Sequence, residues 1–125
     1  MQIKESAENY LETILILSKT KGEVRSIDIA NELSYTKPSI SVAMKNLREN
    51  GYIEMDRSGF IRLLPPGKEI AEKMYERHTL LTDILTSIGV CEKTAAEDAC
   101  KIEHIISQET FEAIRRYFAS LNKEI

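Results

Sequence analysis

The sequence predicts a mainly α-helical protein with one small β-hairpin. Over most of its 125 residues, apolar side chains recur three and four positions apart, which is the spacing of a helix with one buried face. From residue 52 to residue 63 the apolar residues instead alternate with polar ones, as is typical of strands. This order predicts two domains: residues 1–65, which contain the hairpin, and residues 66–125, which are helical.

Two helices are expected at the start of the chain. The first runs from Glu5 to about Lys19 and stops at Lys21–Gly22, because a basic residue followed by glycine commonly ends a helix. Ser26 is expected to cap a short second helix over residues 27–33, since a serine hydroxyl can accept a hydrogen bond from a free backbone N–H group of the first turn.

A third helix and the hairpin follow. Thr36 is expected to cap this helix, with Pro38 in its first turn, where the missing proline N–H leaves no hydrogen bond unmade. Two short helices joined by a tight turn have the spacing of a helix-turn-helix. Residues 52–55 and 60–63 then predict paired strands around the turn 56–59. Such a hairpin forms the wing of a winged helix-turn-helix.

The second domain is expected to contain three helices. Pro65–Gly67 end the hairpin, and a long helix then runs over residues 68–87 before Gly89 stops it. Two further helices are predicted over residues 92–107 and 109–121. We expect this helical domain to bind metal and to dimerise, for the reasons given below.

The composition is that of an ordinary globular protein, with 42% hydrophobic and 30% charged residues. The N-terminus lacks the apolar segment of a signal peptide, and no apolar run approaches the ~18 residues that span a bilayer. We therefore expect a cytoplasmic protein with no membrane partner. In that compartment the two cysteines are expected to be reduced thiols.

The net charge of −3 is unevenly distributed along the chain. Residues 1–65 contain nine Lys and Arg against nine Asp and Glu, whereas residues 66–125 contain eight against eleven. Residues 36–62 alone carry five basic and three acidic side chains. Because Lys and Arg neutralise phosphate groups, the predicted helix-turn-helix and wing are compatible with a double-stranded DNA partner. The acidity of the second domain is compatible with a bound cation.

The exposed side chains at the start of the third helix are the candidates for contacting base edges in the major groove. They are Thr36, Lys37, Ser39, Ser41 and Val42. Lys45 and Arg48, further along this helix, are better placed for phosphate than for bases, and Arg57 in the wing turn could reach the DNA backbone or the minor groove. The alternative is that these residues form the surface of a winged helix that binds another protein.

Cys100, Glu103 and His104 form the most unusual cluster in the sequence. On a helix, positions three and four apart share a face, so that a thiolate, a carboxylate and an imidazole are directed to one place. Thiolate together with imidazole favours Fe(II), Co(II), Ni(II) or Zn(II), and the carboxylate keeps Mn(II) among the candidates. The alternative is a small core cysteine, an ion-paired glutamate and a hydrogen-bonded histidine.

A second histidine, His78, lies among apolar neighbours on the long helix, where a lone histidine is usually structural. The chain has only two histidines and both fall on amphipathic stripes, which favours a shared role. Asn9 and Glu12, three positions apart on the first helix, could complete the ligand set from another element. This would connect the DNA-binding half to the metal-binding half.

Four segments resemble the metal-dependent winged-helix repressors typified by the diphtheria toxin repressor and the manganese transport regulator. The segments are Glu8–Glu12, Thr36–Ser41, Arg77–Leu81 and Asp98–His104, and the similarity covers nearly the whole chain. It implies a homodimer that binds palindromic operators with Fe(II) or Mn(II) as corepressor and represses metal-homeostasis genes. It also implies the short form of the architecture, without the SH3-like third domain of the iron-sensing branch.

The resemblance also assigns residues by position. It implies metal ligands at Asn9, Glu12, His78, Cys100, Glu103 and His104. It implies DNA contacts at Thr36, Lys37, Pro38, Ser39 and Ser41. Cys100 is similar to the iron-sensing branch, whereas Glu12 looks like the manganese branch, and Asn9 matches neither the Met nor the Asp of the two branches. The implied metal centre is therefore a hybrid.

Two other functions fit parts of the sequence. A winged-helix regulator can sense a small molecule in an apolar pocket without metal, in which case a chelator leaves DNA binding unchanged. A metalloenzyme needs an open coordination position and a general base in a cleft, and no H-E-x-x-H or similar hydrolase motif is present. The sequence therefore predicts a regulator and not an enzyme.

Overall fold

Six helices and a two-stranded hairpin make up residues 5–123 of the computed structural model, the part of the chain that the structure describes. The elements are α1 (Glu5–Lys21), α2 (Ser26–Leu33), α3 (Lys37–Glu49), β1 (Ile53–Met55), β2 (Ile61–Leu63), α4 (Pro65–Ser87), α5 (Glu92–Ile102) and α6 (Gln108–Lys123). The chain divides into two compact units after Tyr75, within α4. The predicted fold class, mainly helical with a winged helix-turn-helix, is confirmed.

The first unit is built around an apolar core to which its helices and both strands contribute. Its buried residues are Leu11, Ile14, Leu15, Leu17, Val24, Ile29, Ala30, Ile40, Met44, Leu47, Ile53, Ile61 and Ala71. On α3 the buried positions are Ile40, Met44 and Leu47, as the helical period predicts. The same period leaves the polar side chains of α3 exposed.

The start of α2 differs from the prediction. Ser26 is the first residue of the helix and Arg25 occupies the N-cap position, so the prediction that Ser26 caps this helix is wrong. The Asp28 carboxylate satisfies this end instead: it accepts hydrogen bonds from the Arg25 backbone N–H at 2.9 Å and from the Lys21 ammonium at 2.6 Å. The hydrogen bond from Lys21 is the main reason why the pKa of Asp28 is lowered.

The third helix and the hairpin form as predicted. Thr36 caps α3 by accepting a hydrogen bond from the Ser39 N–H at 3.3 Å. The strands β1 and β2 pair antiparallel, each beginning one residue later than predicted. In the turn between them, the Asp56 carboxylate accepts hydrogen bonds from two backbone N–H groups at 2.9 and 3.0 Å. Gly59 has a φ of +85°, which L side chains rarely adopt.

The long helix α4 begins at Pro65, three residues earlier than predicted. Proline is tolerated here because the first N–H groups of a helix have no partner within it. Gly67 is buried in this first turn, and a Cβ atom at its position would overlap the carbonyl oxygen of Tyr52. Glycine therefore lets α4 begin in contact with the backbone that precedes β1.

The second unit contains the rest of α4 together with α5 and α6. Its buried apolar residues are Leu81, Ala95, Ala99 and Phe111. Gly89 closes α4 with a φ of +109°, and the following Val90 N–H donates to the Leu85 carbonyl at 3.0 Å, which is the predicted glycine stop. The last helix, α6, begins one residue earlier and ends two residues later than predicted.

The end of α5 differs most from the prediction. The helix ends at Ile102, five residues early, and residues 103–107 form a turn. The guanidinium of Arg77, on α4, donates hydrogen bonds to the Glu103 carbonyl at 2.9 Å and to the Ile106 carbonyl at 3.1 Å. Because Arg77 satisfies these carbonyls, they do not need the N–H groups of a continuing helix.

Candidate metal centre and nucleic-acid interface

Cys100, Glu103 and His104 meet in the second unit. Cys100 is in the last turn of α5, and the other two residues begin the turn after it. One ligand atom from each side chain, a sulfur, a carboxylate oxygen and a ring nitrogen, lie within 4.8 Å of one another. The helical spacing predicted this convergence although α5 stops at residue 102, because Glu103 keeps helical backbone angles of φ −58° and ψ −26°.

His78 on α4 joins this group. Its Nδ1 lies 3.1 Å from Oε2 of Glu103, while Nε2 of His104 lies 3.4 Å from Oε1 of the same carboxylate. The side chain of Glu103 is 0% exposed and that of His104 is 2% exposed. The Glu103 carboxylate therefore lies between two imidazoles in a place shielded from solvent.

We call His78, Cys100, Glu103 and His104 the candidate metal centre. Their side chains offer the atom types that bind a divalent transition-metal ion. Two imidazole nitrogens and a thiolate suit Fe(II), Co(II), Ni(II) and Zn(II), and the carboxylate oxygen also suits Mn(II). Burying a carboxylate is costly unless a cation or hydrogen bonds compensate it, and a bound divalent ion supplies that charge while both imidazoles stay neutral. The residues present therefore fit a divalent metal ion.

Asn9 and Glu12, the ligands expected from α1, belong to the first unit. Glu12 is 3% exposed and Asn9 is half-buried. The Asn9 backbone carbonyl accepts a hydrogen bond from the Thr13 hydroxyl at 2.8 Å. Ligation by Asn9 and Glu12 stays a prediction.

The predicted DNA-contacting residues lie at the exposed start of α3. They are Thr36, Lys37, Pro38, Ser39 and Ser41. The Thr36 hydroxyl is engaged within the cap, since it also donates a hydrogen bond to the Ser39 hydroxyl at 2.9 Å. Lys37, Ser41 and Val42 are exposed as well, the last at 61%, and their contacts with base edges stay predictions.

A pocket of about 240 Å³ lies between the starts of α2 and α3. Its lining residues are Ser26, Ile27, Lys37 and Ser41. The sequence patterns did not single out Ser26 or Ile27 as neighbours of the start of α3, because this contact depends on how α2 and α3 pack.

The basic residues expected at the phosphate backbone are exposed. The Nζ atom of Lys45 lies 4.0 Å from Oε1 of Glu49 on the same helix, and both side chains are more than half exposed. An exposed ion pair of this kind is weak, so Lys45 can leave Glu49 to contact a phosphate. Arg57 is exposed in the turn between β1 and β2. The Arg48 guanidinium, in contrast, lies 3.6 Å from the sulfur of Met55. Contacts of Lys45 and Arg57 with phosphate stay predictions.

Within residues 5–123, none of the helices combines the length and the apolar character that a bilayer crossing requires.

Comparisons with known proteins give matches along both units. Residues 2–59 match the family described as iron dependent repressor, N-terminal DNA binding domain, and residues 65–124 match iron dependent repressor, metal binding and dimerisation domain. The transcriptional regulator MntR of Salmonella typhimurium is 34% identical over 110 residues, which are 88% of this chain and 70% of that protein.

Two solved structures share the fold. The crystal structure of T. acidophilum IdeR matches with a TM-score of 0.79 at 26% sequence identity. The match covers 95% of this chain and 55% of the IdeR chain. A manganese-dependent transcriptional repressor in complex with manganese matches with a TM-score of 0.83 at 23% sequence identity, over 90% of this chain and 52% of the repressor chain. This chain therefore spans about half the length of the solved structures it matches. With both halves matched in order, the chain belongs to the iron-dependent repressor family of DNA-binding transcriptional regulators, and the resemblance noted in the sequence is confirmed.

Proposed function

We propose that this protein is a homodimeric, metal-dependent repressor that binds palindromic double-stranded DNA and controls metal-homeostasis genes, with Fe(II) or Mn(II) as corepressor. The observation that carries the proposal is the meeting of Cys100, Glu103 and His104, with His78 against the same Glu103 carboxylate, in a chain that also exposes a helix-turn-helix. The matched metal binding and dimerisation domain and the matched DNA binding domain support the same combination.

The proposed metal ligands come from both halves of the chain. For Cys100, Glu103 and His104 the support is that their donor atoms lie within 4.8 Å of one another, and for His78 it is the 3.1 Å between its Nδ1 and Oε2 of Glu103. Asn9 and Glu12 rest on the family resemblance. When bound, the metal supplies a divalent positive charge that balances the Cys100 thiolate and the Glu103 carboxylate. The two imidazoles then act as neutral ligands, because a protonated ring has no free lone pair for a metal.

The donor set limits the candidate metals. A thiolate with imidazoles favours Fe(II), Co(II), Ni(II) or Zn(II), and the carboxylate is a ligand that Mn(II) also accepts. The family resemblance selects Fe(II) and Mn(II) among these. One structural neighbour is described as a manganese-dependent repressor in complex with manganese, which keeps both Fe(II) and Mn(II) in the proposal.

The proposed DNA-binding surface is the exposed start of α3 together with the wing. Its residues are Thr36, Lys37, Pro38, Ser39, Ser41, Lys45 and Arg57. In a dimer, two such surfaces face half-sites about one helical turn, ~34–36 Å, apart, which explains why a palindrome is expected. We place the division between DNA-binding and metal-binding functions at residue 65, as the bounds of the two matched families suggest.

The experiment is selection of DNA from a random pool by the purified protein, followed by gel shift of the selected duplex. Shifts are compared in Mn(II), in anaerobic Fe(II), and in chelator. We expect a palindromic sequence that is retained only with metal. Binding that is unchanged in chelator would instead support a metal-independent regulator that senses another small molecule.

A matched pair of variants locates the metal response. Cys100→Ala removes a proposed ligand, whereas Cys91→Ala removes the other thiol, which is exposed at the N-cap of α5. We expect Cys100→Ala to need much more metal for the same gel shift and Cys91→Ala to behave as the wild type. Equal metal dependence in both variants would remove Cys100 from the ligand set.

A further inference from the structure

We propose that Arg77 is the positioning residue of the candidate metal centre: its guanidinium holds residues 103–106 in the turn that presents Glu103 and His104. The inference rests on the proposed function, because it concerns how the same centre is assembled. Arg77 does not itself offer a metal ligand, since a guanidinium has no free lone pair at neutral pH. It acts through the backbone that carries two of the ligands.

The hydrogen bonds of Arg77 are directed at this turn. Although charged, the residue is only 4% exposed. One terminal nitrogen donates to the Glu103 carbonyl at 2.9 Å and the Ile106 carbonyl at 3.1 Å, and the other donates to the Gln108 side-chain oxygen at 2.9 Å. The guanidinium therefore connects α4, the turn and the start of α6.

The first two acceptors are the carbonyl of Glu103, the C-cap residue of α5, and the carbonyl of Ile106, in the turn before α6. The Glu103 carbonyl lies at the C-terminal end of α5, where carbonyls have no partner within the helix and carry the negative end of its dipole. A buried guanidinium satisfies them with hydrogen bonds that a charged donor makes stronger than neutral ones. This explains why the chain can leave the helix after Ile102 and enter α6 only six residues later, at Gln108.

Two consecutive residues of α4 hold Glu103 from opposite ends. Arg77 binds its backbone carbonyl at 2.9 Å, and Nδ1 of His78 lies 3.1 Å from its carboxylate. Because both the backbone and the tip of Glu103 are held by one short stretch of α4, the carboxylate has little freedom to move. A ligand whose position is set before binding loses less conformational entropy when the metal arrives.

The setting of Arg77 makes a lysine a poor substitute. The guanidinium lies 5.3 Å from the centre of the Phe111 ring, and Phe111 is itself 2% exposed. A planar guanidinium can stack on a ring while its edge donates several hydrogen bonds in fixed directions, whereas an ammonium is a single compact group without that edge. Arg77→Lys therefore keeps the charge but loses the geometry.

The test compares Arg77→Lys with Arg115→Lys. Arg115 also lies over the Phe111 ring, at 5.1 Å, but its ion-pair partners are Glu76 and Glu112, outside the 103–106 turn. Co(II) is titrated into each full-length protein and followed by its absorption spectrum. We expect Arg77→Lys to bind Co(II) about tenfold more weakly, the scale of one lost charged hydrogen bond, with an altered spectrum. Arg115→Lys should stay within about twofold of the wild type.

A second readout needs no metal. Amide hydrogen exchange of the metal-free proteins reports on the turn directly, through the N–H groups of Glu103, Ile105 and Ile106, which donate to carbonyls of α5 at 2.9 to 3.2 Å. We expect these amides to exchange about tenfold faster in Arg77→Lys, while the amides of α2 keep their wild-type rates. A general loss of stability would accelerate both sets.

The outcomes separate this inference from the proposed function. A wild-type protein that binds no Co(II) overturns both. A wild type that binds Co(II), together with an Arg77→Lys variant of equal affinity, spectrum and exchange, overturns only the role of Arg77. If Arg77→Lys does not fold, Gln108→Met decides, because it removes one of the three acceptors and leaves Arg77 in place. It should lower the Co(II) affinity by about two- to fivefold, and an unchanged affinity would overturn the inference.

Discussion

The two compact units of this protein bury apolar and charged side chains in different proportions: the first buries Glu12 beside a large apolar core, and the second buries Arg77 and Glu103 beside a small one. In the unit that ends at Tyr75, the core is a continuous set of Leu, Ile, Val, Met and Ala residues. In the following unit the apolar core is small, and Arg77 and Glu103 are as buried as the apolar residues around them, at 4% and 0% exposure. The first unit is therefore held mainly by apolar burial, whereas the second depends on how its buried charges are satisfied.

This difference has consequences for stability. Apolar burial in the first unit does not depend on any ligand. In the second unit, a buried carboxylate between two imidazoles becomes more stable when a cation binds, so that its stability should rise with metal concentration. Four measurements test this contrast, in decreasing order of effect size.

The largest effect is expected in the apolar core. Ile40 is 0% exposed, and Ile40→Ala should lower the free energy of unfolding by about 2–5 kcal/mol because it leaves a cavity. The matched control is Val42→Ala on the same helix, where the side chain is 61% exposed and the change should stay within about 0.5 kcal/mol. Urea denaturation with and without metal is the measurement. If added metal abolished the stability loss of Ile40→Ala, the stability of the first unit would depend on metal, and the contrast between the two units would be wrong.

The second effect concerns metal and the buried carboxylate. At a metal concentration about 100 times the dissociation constant, binding should raise the stability of the wild type by about 2.7 kcal/mol. Glu103→Gln should remove most of this gain, since the amide lacks the negative charge. Glu97→Gln, at an exposed position of α5, should retain it. Thermal denaturation with and without Mn(II) or Co(II) distinguishes the two, and equal gains would exclude Glu103 as a ligand.

The third effect tests whether the sulfur of Cys100 contacts the metal. Cys100→Glu replaces a soft thiolate with a hard carboxylate, which Mn(II) accepts better relative to Co(II) or Zn(II). We expect the ratio of Mn(II) to Co(II) affinity to rise about tenfold, or about 1.4 kcal/mol. Competition titrations measure this ratio, and the exposed Cys91→Ser is the control. An unchanged ratio would mean that the sulfur does not contact the metal.

The smallest effect concerns the N-terminus of α2. The pKa of Asp28 is lowered, chiefly by the hydrogen bond from Lys21, so its stabilising effect is complete above the unfolded-state pKa, near 3.8, and is lost as the pH falls through the lower folded-state value. Asp28→Asn should reduce stability by about 0.5–1 kcal/mol at pH 7, because it loses the charge that pairs with Lys21. The difference from the wild type should begin to shrink as the pH falls below 3.8 and should vanish below the folded-state pKa of Asp28.

Urea denaturation at a series of pH values measures this effect. Glu32→Gln, at an exposed position on the same helix, is the control and should change little at any pH. A loss in Asp28→Asn that persists unchanged into strong acid would show that the Lys21 interaction is not its cause.

Elements governed by local patterns were predicted well from the sequence. The Thr36 cap, the buried stripe of α3, the hairpin turn and the Gly89 stop all depend on residues within a few positions of one another. The physical reason is that capping, glycine turns and helical periodicity act over one or two turns of the chain. The convergence of Cys100, Glu103 and His104 was predictable for the same reason, as they lie within five consecutive positions.

The features that were predicted poorly, the end of α5 and the start of α4, depend on long-range contacts. The end of α5 depends on Arg77, which lies 26 positions before Glu103, and no local pattern indicates that a distant guanidinium satisfies those carbonyls. The early start of α4 likewise depends on the close approach of Gly67 to the Tyr52 backbone. The winged helix and the ligand types follow from the sequence alone, because both depend on short-range spacing. The contacts of His78 with Glu103 and of Arg77 with the turn between α5 and α6 depend on packing between helices, which no short-range spacing specifies.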